Sequence, residues 1–130
     1  LLAVTGRRLG RAILKLIIVD DDADIRRGLA ILLRSHGHTV TAFESAEACL
    51  AQPVEAHCAI FDIALPGISG LELNERLKAG GRGMPVVFIT AHVELPVLEA
   101  AQRTHQPLLR KPLAEDDLLD AIERAIADSA

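Results

Sequence analysis

Leu16-Ile17-Ile18-Val19 runs straight into Asp20-Asp21-Asp22. Four apolar residues, three of them β-branched and bounded by charge, have the length and composition of a strand buried on both faces. Ile25, Leu29, Leu32 and Leu33 then recur at helical spacing, and Gly37 stops that helix. The same alternation repeats down the chain. Thr39 to Phe43 reads as a second strand, and Ser45 caps a short helix carrying Ala46, Ala48 and Leu50, with Pro53 just beyond. Cys58-Ala59-Ile60-Phe61 is a third buried strand, ended by Asp62 and followed by the turn-rich Pro66-Gly67-Ile68-Ser69-Gly70. Ser69-x-x-Glu72 is a capping box that opens a helix with Leu71, Leu73 and Leu77 inward, and Gly80-Gly81 ends it. Val86 to Ile89 is a fourth strand finishing at Thr90, and Leu95 to Gln102 a fourth helix. Pro107-Leu108-Leu109 is a weak fifth strand before Arg110-Lys111-Pro112. The last helix carries Leu118, Leu119, Ile122 and Ile126 on one stripe and Glu115, Asp116 and Asp117 in its first turn, where the macrodipole favours them.

Five β/α units with short connections predict an α/β fold with helices on both faces of a parallel sheet. The expected architecture is a flavodoxin-like doubly wound (βα)5 with a five-stranded sheet in the order 2-1-3-4-5.

Composition narrows the function. The chain has 130 residues, 50% hydrophobic and 25% charged, about one domain of ordinary globular character. No apolar run is long enough to span a bilayer, so no membrane association is expected. The three phenylalanines are the only aromatics, too few to form stacking platforms for single-stranded nucleic acid. Cys49 and Cys58 cannot make a disulfide framework and read as reduced core residues, which suits the cytoplasm. Residues 1–15 hold Arg7, Arg8, Arg11 and Lys15 and no acid; the remainder has 10 basic and 18 acidic residues. Residues 1–14 therefore read as an N-terminal extension, tag or linker, and residues 15–130 as the domain. Its acidic body is a poor DNA binder by itself.

In open α/β sheets, sites form outside the carboxyl ends of the strands, where the strand order reverses. The first strand delivers Asp20 and Asp21 there, the third Asp62, the fourth Thr90 and the fifth Lys111. Strand two delivers Glu44, which this order leaves at the edge. Taken singly, each has a plain structural reading: a solvated turn and helix cap, a loop acid, a strand-end hydroxyl, a surface charge. The fold rule brings them to one place. Two carboxylates about 5 Å apart repel by about 3 kcal/mol at an effective dielectric of 20, so three together call for a cation. Mg²⁺, which takes one or two carboxylates, waters and a phosphate, answers that need. A cation, a lysine, a hydroxyl and a carboxylate nucleophile together suit phosphoryl transfer to an aspartate.

These segments carry a resemblance. Leu16 to Arg26, Phe61-Asp62 through Leu73, Ile89-Thr90-Ala91 and Lys111-Pro112-Leu113 are together similar to the receiver domain of two-component response regulators, over about Lys15 to Ser129. The resemblance implies that Asp62 is the phosphoacceptor, and that its donor is a sensor histidine kinase, a phosphotransfer protein or a small acyl phosphate. It implies Mg²⁺ held by Asp20, Asp21, Asp62 and the backbone carbonyl of Ala64. Thr90 and the Ala91 N–H would meet the phosphoryl group, Lys111 would pair with its oxygens, and the Lys111-Pro112 bond would be cis. A homodimer through the helix 4, strand 5 and helix 5 face is a further implied partner. DNA binding would come only through an output domain that these residues do not include.

Two departures accompany the match. The position three before Lys111, commonly aromatic in such domains, is Leu108, so there is no ring to swing inward on activation. Gln102-Arg103-Thr104-His105-Gln106 replaces a customary Gly-Ala pair and leaves the segment about one residue short, which predicts irregularity in the fourth helix and fifth strand. Ala64 and His92 occupy positions that tune dephosphorylation in the family, and Ala64 has no polar group to orient water. Two other readings compete with a phosphorylation switch. One is a receiver-like interaction module that does not signal by phosphorylation. The other is a Mg²⁺-dependent phosphohydrolase, disfavoured because Ala64 stands where such enzymes carry a general-acid Asp. His36 and His38, flanking Gly37, read as surface residues.

Overall fold

The computed structural model describes residues 12–52, 54–91 and 94–129. The basic leader up to residue 11 and His92 lie outside the described residues. Ten elements alternate along the chain: β1 (Lys15–Val19), α1 (Ala23–Ser35), β2 (Thr39–Phe43), α2 (Ala46–Leu50), β3 (Cys58–Asp62), α3 (Gly70–Ala79), β4 (Val86–Thr90), α4 (Leu95–Gln102), β5 (Leu108–Arg110) and α5 (Glu115–Asp128). All strand pairs are parallel, in the order β2-β1-β3-β4-β5, as the alternation predicts.

The three central strands form the buried middle because every residue in their apolar runs faces a helix layer. Leu16, Ile18, Ile60, Val87 and Ile89 pack with Leu29 and Leu33 of α1 and Leu118 and Ile122 of α5. Ile17, Val19, Phe61 and Phe88 project to the other face, against Cys49 of α2 and Leu73 and Leu77 of α3. Phe61 and Phe88, paired across β3 and β4, meet as tilted rings 6.5 Å apart. Burying each such side chain contributes about 1.5–3 kcal/mol, so these two layers hold the sheet rigid beneath its carboxyl edge.

Helix starts follow the expected caps. The Asp22 carboxylate accepts the N–H groups of Asp24 and Ile25, and Ser45 Oγ accepts that of Ala48. Ser69 Oγ accepts the Glu72 N–H, but the Glu72 carboxylate turns to Arg76 at 2.6 Å instead of closing the box. Two local expectations change. β5 starts at Leu108, one residue late, because Pro107 has no N–H; its carbonyl still accepts the Phe88 N–H at 2.9 Å. His38 is buried, not on the surface: the turn at Gly37 brings it under Leu14, whose N–H donates to His38 Nδ1 at 3.1 Å. Leu14 itself lies in the core. Among the described residues, no helix is long and apolar enough to cross a membrane.

Candidate functional site

The register decides which side chains meet. β1 and β3 are neighbours, with Val19 opposite Phe61, so the residue after each, Asp20 and Asp62, emerges at the same edge of the sheet. Alternation along both strands sends these two carboxylates toward the α1–α5 face, two residues beyond Ile18 and Ile60. Asp21, the next residue after Asp20, is exposed at the rim. One carboxylate oxygen from each of Asp20, Asp21 and Asp62 lies within 4.8 Å of the others.

Asp20 and Asp62 are almost wholly buried. Asp20 Oδ1 accepts the Asp22 N–H at 2.8 Å, and the Asp20 backbone is held on both sides. Its N–H donates to Phe43 O, and its carbonyl accepts Arg26 Nη1 at 2.7 Å. Asp20 Oδ2, sealed from solvent, has no well-aligned hydrogen bond; its close neighbour is the Lys111 ammonium at 2.9 Å. Lys111 Nζ also lies 3.3 Å from Asp62 Oδ2. The other Asp62 oxygen, Oδ1, accepts the Ala64 N–H at 3.2 Å.

Lys111 reaches the site because β5 runs beside β4. Thr90 pairs with Arg110, and the Lys111 N–H donates to the Thr90 carbonyl at 2.8 Å. The bond to Pro112 is cis, as the resemblance implies. Thr90 is buried at the end of β4, one residue past Ile89, the register partner of Asp62. Ala91 and Ala64 are exposed on the adjoining loops.

The electrostatics follow from this crowding. Burial and the neighbouring Asp20 charge push the Asp62 carboxyl above the ordinary carboxylate range, and Lys111 and the Ala64 N–H offset only part of that. Burial works to lower the Lys111 ammonium, but Asp20 and Asp62 outweigh it and hold its pKa above the ordinary value. The Lys111 ammonium lies against Asp20 and Asp62, and Asp21 adds a third carboxylate to the group, so the cluster keeps net negative charge. An all-oxygen donor set with one sealed, poorly satisfied oxygen fits a hard divalent cation.

Two residues that shape the site carry no advance signal in the sequence. Arg26, spaced as a helix-face cation, instead holds the Asp20 carbonyl. Gly70, read as part of a turn, packs against the backbone of Asp62. A close approach between segments eight residues apart leaves no trace in local pattern.

The family model for the response regulator receiver domain matches residues 16–123. The transcriptional regulatory protein FixJ of Azorhizobium caulinodans is 37% identical over 116 residues, which cover 87% of this chain and 55% of that protein. The response regulator protein TodT of Pseudomonas putida is 34% identical over 112 residues, covering 84% and 49%. The solved structure of response regulator StyR superposes with a TM-score of 0.73 at 40% identity, covering 87% of this chain and 59% of that one. A CheY-like receiver domain protein from Methanospirillum hungatei gives 0.81 at 27% identity, covering 90% and 96%. The chain thus spans about half the length of the curated relatives it matches. With the sheet order, the acidic edge and these matches in agreement, the chain belongs to the receiver domains of two-component response regulators.

Proposed function

We propose that Asp62 is the phosphoryl acceptor of a Mg²⁺-dependent switch. The observation that carries this reading is the placement of one lysine ammonium within 3.3 Å of two buried aspartates whose cluster retains net negative charge. An Asp62 carboxylate oxygen attacks phosphorus, and the bond from phosphorus to the leaving group breaks. The leaving group is a histidine nitrogen on a sensor kinase or phosphotransfer protein, or the acetate of acetyl phosphate. Asp20, Asp21, Asp62 and the Ala64 carbonyl would hold Mg²⁺, which supplies charge neutralisation for the phosphoryl oxygens.

The chain's own residues do the rest. Asp20 and Asp21 concentrate negative charge for the cation, which leaves Asp62 free to act as nucleophile. Lys111, already placed between Asp20 and Asp62, pairs with the incoming oxygens, while the Thr90 hydroxyl and the Ala91 N–H donate to them. The phosphoryl group, carrying about −1.5 to −2 in place of the single charge of the carboxylate, then redistributes these contacts, and the segments carrying Thr90 and Lys111 transmit the change. Leu108, half-buried beside that edge, offers an aliphatic reporter on this route in place of a ring. Leu95, largely exposed on α4, gives the α4–β5–α5 face an apolar contact for a second copy or for an output domain. Ala64 offers no general acid, so the reading is a signalling receiver rather than a hydrolase of external phosphate esters.

Incubation with Mg²⁺ and acetyl phosphate tests this directly. Intact mass should rise by about 80 Da, one phosphoryl group. The Asp62→Asn variant should not gain that mass, and an unchanged adduct on it would overturn the assignment.

A further inference from the structure

α2 is short, yet both of its ends are tied to distant parts of the chain. Arg82, on the turn after α3, donates from Nη2 to Gln52 O at 2.7 Å and from Nη1 to Leu50 O at 3.5 Å, capping the carbonyls that end α2. Ala46 and Cys49 anchor the helix in the core. At its first turn, Glu47 Oε2 accepts the Ile68 N–H at 3.2 Å, across 21 residues of sequence. Gly67, just before, has a φ of +76°, and a methyl group there would stand 2.5 Å from that same oxygen. The loop between β3 and α3 is therefore seated on the Glu47 carboxylate.

That loop begins at Asp62 and carries Ala64. Near its ends it is pinned by Ala64 N–H to Asp62 Oδ1, Leu65 N–H to Ile63 O and Gly70 N–H to Ile63 O. Its crest, Pro66 and Gly67, is open to solvent; Ile68 follows, half-buried against the core, with its N–H held by Glu47. A backbone carbonyl cannot reorient as a side chain can; the loop dihedrals alone aim it. Mg²⁺ demands near-ideal octahedral geometry, so a small drift of a carbonyl ligand is felt in affinity.

We infer that Glu47 is a positioning residue for the metal-binding loop: by holding the Ile68 N–H it fixes the backbone that presents the Ala64 carbonyl. This rests on the reading of Ala64 as a ligand. Groups that orient metal ligands from outside typically change affinity by about 10–100-fold when lost, and one solvent-facing hydrogen bond belongs at the low end.

The test is calorimetric titration of the full chain with Mg²⁺ alone, together with the backbone amide shifts of Ala64 and Ile68. Glu47→Ala should weaken Mg²⁺ binding by about tenfold, and Glu47→Gln, which keeps an acceptor oxygen at the same reach, should return it to the wild-type value. Should the alanine variant not fold, Glu47→Asp keeps the charge and withdraws the acceptor by one methylene, and should weaken binding likewise. Wild-type affinity in Glu47→Ala or Glu47→Asp overturns the inference. So does an equal loss in Glu47→Gln, which would make the charge, not the hydrogen bond, the active element. A wild-type chain that binds no Mg²⁺ at all instead overturns the reading of the site on which the inference rests.

Discussion

Gly70, the first residue of α3, lies so close to the backbone carbonyl of Asp62 that a methyl group there would overlap the oxygen. Neither partner can give way, because Asp62 closes a buried strand and Gly70 opens a helix whose Leu73 and Leu77 are in the core. Gly70→Ala should destabilise the domain by about 1–3 kcal/mol despite the better helix propensity of alanine. Urea denaturation checks the magnitude, and a stability equal to wild type would show that α3 can slide away from β3.

The acidic cluster should trade stability for function. With Mg²⁺ chelated, Asp62→Asn removes one of three crowded carboxylates and should stabilise the domain by about 1 kcal/mol, the mutual repulsion being partly offset by the lost contact with Lys111. Thermal melts in EDTA read this directly. Added Mg²⁺ should raise the melting temperature of the wild type more than that of the variant.

His38 should make stability fall in mild acid. Burial, and secondarily the nearby His36, hold its pKa below the ordinary imidazole value of 6.5. The unfolded chain then binds the proton more readily than the folded one. The contribution of the neutral ring is complete above pH about 6.5 and is lost as pH falls through the folded value. Protonation also removes the Nδ1 lone pair that accepts the Leu14 N–H. Denaturation midpoints between pH 7 and 5 should drop for wild type and drop less for His38→Gln.

Cys58 should resist alkylation. Burial in the core pushes its thiol up to about 12, and burial raises that of Cys49 as well. At pH 8 the native protein should react with iodoacetamide far more slowly than the urea-unfolded chain at both positions, with peptide mapping as the measurement. Fast native labelling of Cys58 would mean that β3 opens locally.

His105 adopts a φ of +60° in the turn between α4 and β5. Histidine tolerates this region better than most residues but still carries strain there. His105→Gly should stabilise the domain by about 0.5–1 kcal/mol, net of the greater freedom of glycine in the unfolded chain, as judged by the urea midpoint.

That turn also shows where sequence reasoning stops. The shortened Gln102–Gln106 stretch signals irregularity, yet α4 is regular. The adaptation sits in the turn, where the Gln106 side chain accepts the Val86 N–H at 3.2 Å and His105 makes the left-handed step. A carboxamide standing in for a backbone acceptor is a tertiary event with no local pattern.

The apolar runs that end in Asp20, Asp62 and Thr90 determined, by themselves, a parallel sheet and the edge at which its polar residues gather, because burial on both faces leaves such strands one architecture. Alternation with amphipathic helices set the element order. Only the tertiary structure decided which oxygen of Asp20 faces Lys111, that Arg26 and Gly70 lock the two aspartate backbones, and that His38 goes inside. Those choices depend on contacts between segments far apart in the chain, set by sub-ångström packing that residue periodicity does not encode.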